Sequence, residues 1–88
     1  DTNALARLGN AYSTLGRHEE AIKVFSELTR LMPNDERVFL KLGFAYSEIQ
    51  RTEEAIKAYQ TVVRLKPDDA AGQLNLGMAY YDLRRYEE

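Results

Sequence analysis

The 88-residue chain is 44% hydrophobic and 30% charged, and its formal net charge of -2 excludes a general electrostatic attraction to nucleic acid or to anionic membranes. It has no cysteine, which excludes disulfide bonds and cysteine-bound zinc. No apolar run approaches the roughly 20 residues that a membrane-spanning helix needs, so we expect neither nucleic acid nor a membrane as a partner.

A pattern with a period of 34 residues organises the whole chain. The residues that recur at this interval are Leu8, Leu42 and Leu76, then Gly9, Gly43 and Gly77, then Ala11, Ala45 and Ala79, and finally Tyr12, Tyr46 and Tyr80. We predict one domain over residues 1–88, with copies of one unit at about 2–35 and 36–69 and an incomplete copy at 70–88. A stack of such units usually binds through an extended surface.

The first copy is predicted to contain two helices. The large apolar residues expected to fill the core between them are Leu8, Tyr12, Leu15, Phe25 and Leu28. Glu19 and Glu20 place negative charge in the first turn of the second helix, where the helix dipole favours it. Arg30 and Pro33 mark its end, since proline cannot continue a helix.

The second copy repeats this organisation, with apolar residues at helical spacing over 36–49 and again over 53–66. Asn34 and Asp35 precede its first helix and Thr52 precedes its second, and all three are N-cap residue types. The residues expected to fill its core are Leu42, Tyr46, Ile49, Tyr59 and Val62.

The third copy is predicted to begin with a helix over about 70–83 and to enter a further helix at residues 86–88, so we expect the sequence to be a piece of a longer chain. The residues predicted to lie on a face that this further helix would cover are Leu76, Ala79, Tyr80 and Leu83. If that face is bare, isolated chains are expected to stack end to end, burying Tyr80 and Leu83.

The repeated glycine is predicted to mark close packing. A glycine inside a helix costs about 1 kcal/mol relative to alanine, so three at one phase are best explained by close backbone approach between paired helices. Ala21 and Ala55 are predicted to supply the small surface that faces Gly9 and Gly43.

These residues resemble the tetratricopeptide repeat family, whose repeat is also about 34 residues long. The residues that carry the resemblance are Leu8-Gly9, Tyr12, Ala21, Phe25 and Pro33, repeated as Leu42-Gly43, Tyr46, Ala55, Tyr59 and Pro67. The family's frequent tryptophan is replaced by Leu5, Phe39 and Gln73, and its glycine before the second helix is present only as Gly16. The resemblance implies an all-α fold, a right-handed solenoid of antiparallel helix-turn-helix repeats.

The resemblance also implies a concave groove lined by the first helix of each copy, where a peptide or partner protein binds. The predicted groove residues are Asn10, Arg37, Leu40, Lys41, Phe44, Ser47, Leu74, Asn75, Met78 and Tyr81. Independent support comes from spacing, because Arg37, Lys41 and Phe44 fall on one side of a helix and are not among the repeated core residues. Some relatives clamp a terminal carboxylate with Lys and Asn, but of those positions only Asn10 matches.

Catalytic machinery is not predicted. His18 is the only histidine, and without cysteine or a second histidine it cannot form a nucleophile-base pair or a histidine-rich metal site. We therefore expect no enzyme activity, no cofactor and no metal. Three functions stay open: a protein- or peptide-binding module, which we favour, a scaffold segment that self-assembles through uncapped ends, and a regulatory domain attached to an enzyme.

Overall fold

The computed structural model describes the backbone of residues 1–87 and the side chains up to Arg85. It contains five helices, α1 (Thr2–Thr14), α2 (His18–Leu31), α3 (Glu36–Glu48), α4 (Thr52–Leu65) and α5 (Ala70–Glu87), and no strand within the described residues. Each helix packs mainly against its neighbours in sequence, so the helices form an elongated stack with extents of 42 × 28 × 17 Å. The prediction of an all-α helical repeat solenoid is confirmed.

An aspartate caps each of the helices α1, α3 and α5. Asp1 accepts a hydrogen bond from the backbone N–H of Asn3 at 3.0 Å, and Asp35 accepts one from Arg37 at 3.0 Å. Asp69 accepts the same bond from Ala71 at 2.9 Å. Each bond satisfies an N–H that has no partner inside its helix, so the start of each helix is stabilised by about 1 kcal/mol.

The helices α2 and α4 begin differently. Their N-cap positions are Arg17 and Arg51, and neither side chain makes a capping hydrogen bond. The prediction that Thr52 is an N-cap is wrong, because Thr52 is the first residue of α4 and is buried. Acidic residues in the first turn, such as Glu53, are the helix-dipole feature that both helices retain.

The turns inside the first two copies share one geometry. Gly16 and Gln50 adopt left-handed backbone conformations, with φ of 76° and 65°. In each copy the backbone N–H of the following residue donates a hydrogen bond to a carbonyl of the preceding helix. In the second copy, the N–H of Arg51 donates to the carbonyl of Tyr46 at 3.0 Å. The Arg51 guanidinium lies 5.2 Å from the centroid of the Tyr46 ring and pairs with Glu54. Such a reversal directs α4 antiparallel to α3.

Each of the helices α2 and α4 is packed between two other helices. One cluster of buried residues joins α2 to α1 and α3, with Phe25 and Leu28 only 1% exposed. A second cluster centred on Tyr59 joins α4 to α3 and α5. Leu8 and Leu15 were predicted to be core, but they are 43% and 69% exposed. They lie on the face of α1 that corresponds to the α3 face packed on α2, and no helix precedes α1 among the described residues.

Close approach is confirmed at Gly9 and Gly43, but its partner differs from the prediction. A Cβ atom added at Gly9 would lie 2.6 Å from the Phe25 ring, and one at Gly43 would lie 2.6 Å from the Tyr59 ring. The nearest atoms are therefore aromatic rather than those of Ala21. The glycines leave room for a large ring against the helix backbone.

The last helix departs from the prediction in two ways. It runs through Arg84 to Glu87 as one helix, whereas a turn and a new helix were expected; the part of that prediction that concerns Glu88 lies outside the described residues. Leu76, Ala79 and Leu83 pack against the α4 cluster, so they are not a bare face. Their packing repeats that of α3 on α2, because first helices in this fold contact the preceding helix as well as their own partner.

Candidate functional site

The helices α1, α3 and α5 together line an open cavity of about 310 Å³. We call it the central cavity. Its lining residues are Asn10, Ser13, Phe25, Leu40, Lys41, Phe44 and Asn75. Five of these were predicted groove residues, and they come from three different copies of the repeat. The structure thus places residues that are far apart in sequence around one concave space.

The apolar part of the central cavity is formed by Phe44, Leu40 and Phe25. Phe44 is 51% exposed, whereas the Phe25 and Tyr59 rings are buried. Leu40 is half-buried and packs against the α4 cluster, which fixes its position. Phe25 is almost completely buried and lies at the base of the cavity. An exposed ring beside two fixed apolar side chains is a surface that can accept an apolar group.

The polar part of the central cavity is a contact between two copies. The Lys41 ammonium Nζ donates a hydrogen bond to the side-chain oxygen Oδ1 of Asn10 at 2.7 Å. Within the residues that the structure describes, no carboxylate forms a salt bridge with Lys41. Asn10 is neutral, so this hydrogen bond does not neutralise the positive charge of Lys41, which also acts on the Asp35 carboxylate.

Arg37 lies outside the central cavity, in a neighbouring hollow of about 270 Å³ between α1, α2 and α3 that Lys41 also lines. Its guanidinium pairs with the Asp35 carboxylate at 3.0 Å. This hydrogen bond lowers the pKa of Asp35, and the charge of Lys41 lowers it further. Of the two predicted groove cations, Arg37 is therefore paired with a carboxylate, and Lys41 forms no salt bridge within the described residues.

Ser47 does not line the central cavity, because its hydroxyl hydrogen-bonds with that of Tyr59. Burial raises the pKa of Tyr59, which keeps the phenol neutral in this setting. Ser47 thus supplies a polar partner for a ring that packs against Gly43. A buried tyrosine hydroxyl usually has a polar partner, and Ser47 has this role. The helical spacing of Ser47 within α3 did not indicate it.

Three further predicted residues, Leu74, Met78 and Tyr81, lie on α5 in a separate hollow of about 510 Å³. We call it the α5 hollow; its other lining residues are Gln73, Gly77 and Asp82. All three predicted residues are strongly exposed. The ten predicted residues are therefore divided among the central cavity, the Arg37 hollow, the α5 hollow and the buried contact of Ser47.

Sequence reasoning missed two features of the site. Phe25 was assigned only to the core, although its ring also lines the cavity. The bond from Lys41 to Asn10 joins residues 31 positions apart, so helical periodicity within one copy cannot reveal it. Only an alignment of neighbouring copies at the 34-residue period could have indicated that these two residues are in contact.

Neither a metal-binding cluster nor a membrane-spanning helix is found in the described part of the chain. No group of histidine, cysteine, aspartate or glutamate side chains there is arranged to hold a metal ion. None of the described helices combines the length and apolar character that crossing a membrane requires.

Solved structures with a similar backbone include two whose names give them as TPR domains. MamA AMB-1 superposes with a TM-score of 0.89 at 21% identity, covering 99% of this chain and 48% of that one. The Sgt2 TPR domain from Aspergillus fumigatus gives 0.88 at 21% identity, covering 98% and 57%. The chain thus spans about half the length of these structures. The first TPR of Spaghetti (RPAP3), bound to the HSP90 peptide SRMEEVD, gives 0.52 at 19% identity, covering 94% and 93%.

The sequence itself carries the family's pattern. A search among curated proteins found no match. The TPR repeat family matches residues 9–50 and 48–83, which together make up most of the chain. These matches begin and end inside the helical stack described above and include the two complete glycine-aromatic contacts. The chain belongs to the TPR repeat family.

Proposed function

We propose that this chain binds a peptide segment of a partner protein in the central cavity. TPR domains are protein-interaction modules, and one structural neighbour was solved with a bound peptide. The observation that carries the proposal is Phe44, an exposed ring beside Lys41, a cation that forms no salt bridge within the described residues. Neither residue repeats with the core, so packing within the stack does not account for them.

The cavity suggests the chemistry of the peptide. An apolar side chain would contact Phe44 and Leu40, while an acidic side chain or another strong acceptor would replace Asn10 as the partner of Lys41. A peptide that combines an apolar residue with a nearby carboxylate satisfies both. Arg37 contributes less than Lys41 to its affinity, because Arg37 is already paired with Asp35.

A library of short linear peptides, selected on the immobilised protein, tests this proposal. Selected peptides are expected to combine apolar and acidic residues and to shift the amide signals of Leu40, Lys41 and Phe44 in a two-dimensional NMR spectrum. Phe44→Ala should weaken their binding about 10-fold or more, which corresponds to the loss of a hot-spot side chain.

Matched variants control for surface effects. Leu15→Ala removes an apolar side chain from another face that is more exposed than Phe44, and Lys57→Glu reverses a charge on α4. Both should leave binding unchanged, whereas Lys41→Glu should weaken it and reduce its dependence on salt. Selected peptides that bind Phe44→Ala and Lys41→Glu as tightly as the original protein would refute the central cavity as the site.

Self-association through the ends is the alternative function. Three residues of the face first predicted for it, Leu76, Ala79 and Leu83, pack against α4, while the fourth, Tyr80, is 47% exposed. The apolar stripe of α1 that includes Leu8 and Leu15 is exposed and supports a weaker form of the same idea. Sedimentation velocity over a range of concentrations separates the two functions, because peptide binding predicts a monomer.

A further inference from the structure

The central cavity and the Arg37 hollow are two halves of one cleft. Both are lined by α1 and α3, and both have Phe25 of α2 at their base. The hydrogen bond from Lys41 to Asn10 joins α3 to α1 at 2.7 Å, and Lys41 lines both halves. A peptide bound in the central cavity can therefore extend past Lys41 into the Arg37 hollow.

The two halves of the cleft differ in charge. Among the described residues, no carboxylate lines the central cavity, whereas Asp35 lines the Arg37 hollow. The Asp35 side chain is only 13% exposed and binds the Arg37 guanidinium with both oxygens. Oδ1 accepts a hydrogen bond from Nε at 3.2 Å, and Oδ2 accepts one from Nη2 at 3.0 Å. Arginine binds carboxylates in this paired geometry, so Asp35 already occupies the place that an acidic side chain of a ligand would take.

Asp35 is held in this place by a second contact. Its Oδ1 also accepts the backbone N–H of Arg37 at 3.0 Å, which caps α3. The side-chain hydrogen bond from Arg37 lowers the pKa of Asp35 most, and the charge of Lys41 lowers it further, so the carboxylate is ionised at neutral pH. A ligand carboxylate brought into the Arg37 hollow would lie beside a like charge, which is unfavourable.

The rest of the Arg37 hollow is mostly apolar. Side chains from α1, α2 and α3 form this part, namely Ala6, Phe25, Leu28, Met32 and Val38. An uncharged apolar side chain would be favoured there, because it buries apolar surface and removes no charge from water. An acidic side chain would lose its hydration and find the nearest guanidinium already paired.

We propose that Asp35 is a specificity-determining residue that excludes acidic side chains from the Arg37 hollow, an inference that rests on the proposed function of the central cavity. A bound peptide places one acidic residue at Lys41 and an apolar residue in each half of the cleft. Val38 in the Arg37 hollow and Phe44 in the central cavity are six residues apart on α3, which is about 9 Å at the rise of a helix. An extended peptide covers this distance in about three residues, so its two apolar residues are about three positions apart.

Synthetic peptides with acetylated and amidated ends test the exclusion. The single-acid peptide has the sequence Ser-Leu-Glu-Ser-Leu-Ser and should bind with a Kd on the order of 0.1 mM, shifting the amide signals of Val38, Lys41 and Phe44. In two double-acid peptides, glutamate replaces one or the other leucine, which covers both orientations in the cleft. Matched neutral peptides carry glutamine at the same positions. For at least one position, the glutamate peptide should bind the wild type more weakly than its glutamine match.

Asp35→Asn is the decisive variant, because asparagine keeps a capping oxygen but not the charge. It releases the Arg37 guanidinium, so that double-acid peptide should bind about 10-fold more tightly than to the wild type, while its glutamine match changes by less than about twofold. The gain should disappear when Arg37→Ala is added to Asp35→Asn. Asp69→Asn is the matched control, since it makes the same change at the start of α5, outside both halves of the cleft, and should leave every affinity unchanged.

Failure of this inference is distinguishable from failure of the proposed function. Equal effects of Asp35→Asn on the glutamate and glutamine peptides would show that Asp35 does not determine specificity. Shifts at Phe44 without shifts at Val38, or binding by library-selected peptides but not by the single-acid peptide, would remove the Arg37 hollow from the site. In each of these cases the central cavity stands as the binding site. If neither these peptides nor the selected ones shift the signal of Phe44, the proposed function fails and the inference fails with it.

Discussion

Gly43 and Gly77 occupy the same place in two copies of one repeat, yet they have opposite environments. Around Gly43 the Tyr59 ring fills the space beside α3, and Ser47 hydrogen-bonds to the Tyr59 hydroxyl. Around Gly77 that space is open, and the residue corresponding to Ser47 is the exposed Tyr81. The repeat pattern therefore marks where a neighbouring helix can pack, while burial depends on whether that helix is there.

The largest expected effect comes from adding a side chain at these two glycines. Gly43→Leu should lower the free energy of unfolding by about 3 kcal/mol, because the new side chain overlaps the buried Tyr59 ring. Gly77→Leu should raise it by about 0.5 to 1 kcal/mol, since leucine is the better helix former and meets no neighbour. Urea denaturation followed by circular dichroism measures both. Equal changes in the two variants would contradict the comparison.

The next largest effect on stability is expected at two leucines in equivalent positions, one of them buried and the other exposed. Leu42 is 8% exposed between α3 and α2, whereas Leu8 is 43% exposed on a face of α1 without a preceding helix. Leu42→Ala should cost about 2 to 3 kcal/mol by leaving a cavity, and Leu8→Ala about 1 kcal/mol or less. Thermal unfolding of both variants at one protein concentration provides the test. A larger loss in Leu8→Ala would show that another chain covers α1 in solution.

Asp35 provides a smaller, pH-dependent effect. Its pKa is lowered first by the hydrogen bond from Arg37, so its stabilising contribution is present above the ordinary carboxyl pKa of about 4 and is lost as the pH falls through the lowered value. Asp35→Asn should therefore destabilise the protein by about 1 kcal/mol at neutral pH, with the difference shrinking below about pH 4.

Unfolding of the wild type and Asp35→Asn across the acidic range measures this difference. The control is Arg37→Ala, which keeps the capping bond of Asp35 but removes the main cause of its lowered pKa. The stability that this variant loses relative to wild type should therefore shrink over the same pH range. A constant difference between wild type and Asp35→Asn at every pH would mean that the charge of Asp35 does not stabilise the folded chain.

The smallest effect compares the two turns. Gly16→Ala should cost about 1 kcal/mol, because a φ of 76° is unfavourable for a residue with a Cβ atom. Gln50→Gly should gain a few tenths of a kcal/mol at most, as relief of the same strain is offset by the freedom that glycine gives the unfolded chain. Differential scanning calorimetry resolves both signs. Destabilisation by Gln50→Gly would show that the Gln50 side chain stabilises its turn by more than the strain it causes.

Most of the fold could be predicted from sequence because its determinants are local and repeated. Helical spacing placed α3 and α4 to within one residue of their ends, and the 34-residue period gave their pairing. The repeat could not show that α5 would continue through Arg84. In the earlier copies that position is a turn with positive φ, which Arg84 fits less well than Gly16 does.

The candidate site was less predictable, because it depends on contacts between copies. Spacing placed Leu40 and Phe44 on one side of α3, and both line the central cavity. The same spacing placed Ser47 there too, but its hydroxyl bonds to Tyr59 in the next helix. Whether a polar residue lines a groove or bonds to a neighbouring helix depends on the side chains of that helix. The residue pattern of one helix alone carries no information about them.

The connection of each helix mainly to its neighbours in sequence affects how the chain folds. Contacts between residues close in sequence require little loop closure, so relative contact order is low and folding should be fast, on the microsecond to millisecond scale. Helices α2, α3 and α4 have a neighbour on each side, while α1 and α5 have one within the described residues. Opening therefore begins at the outer helices and proceeds inward, so amide hydrogens of the central helix α3, near Leu42 and Ala45, should exchange last.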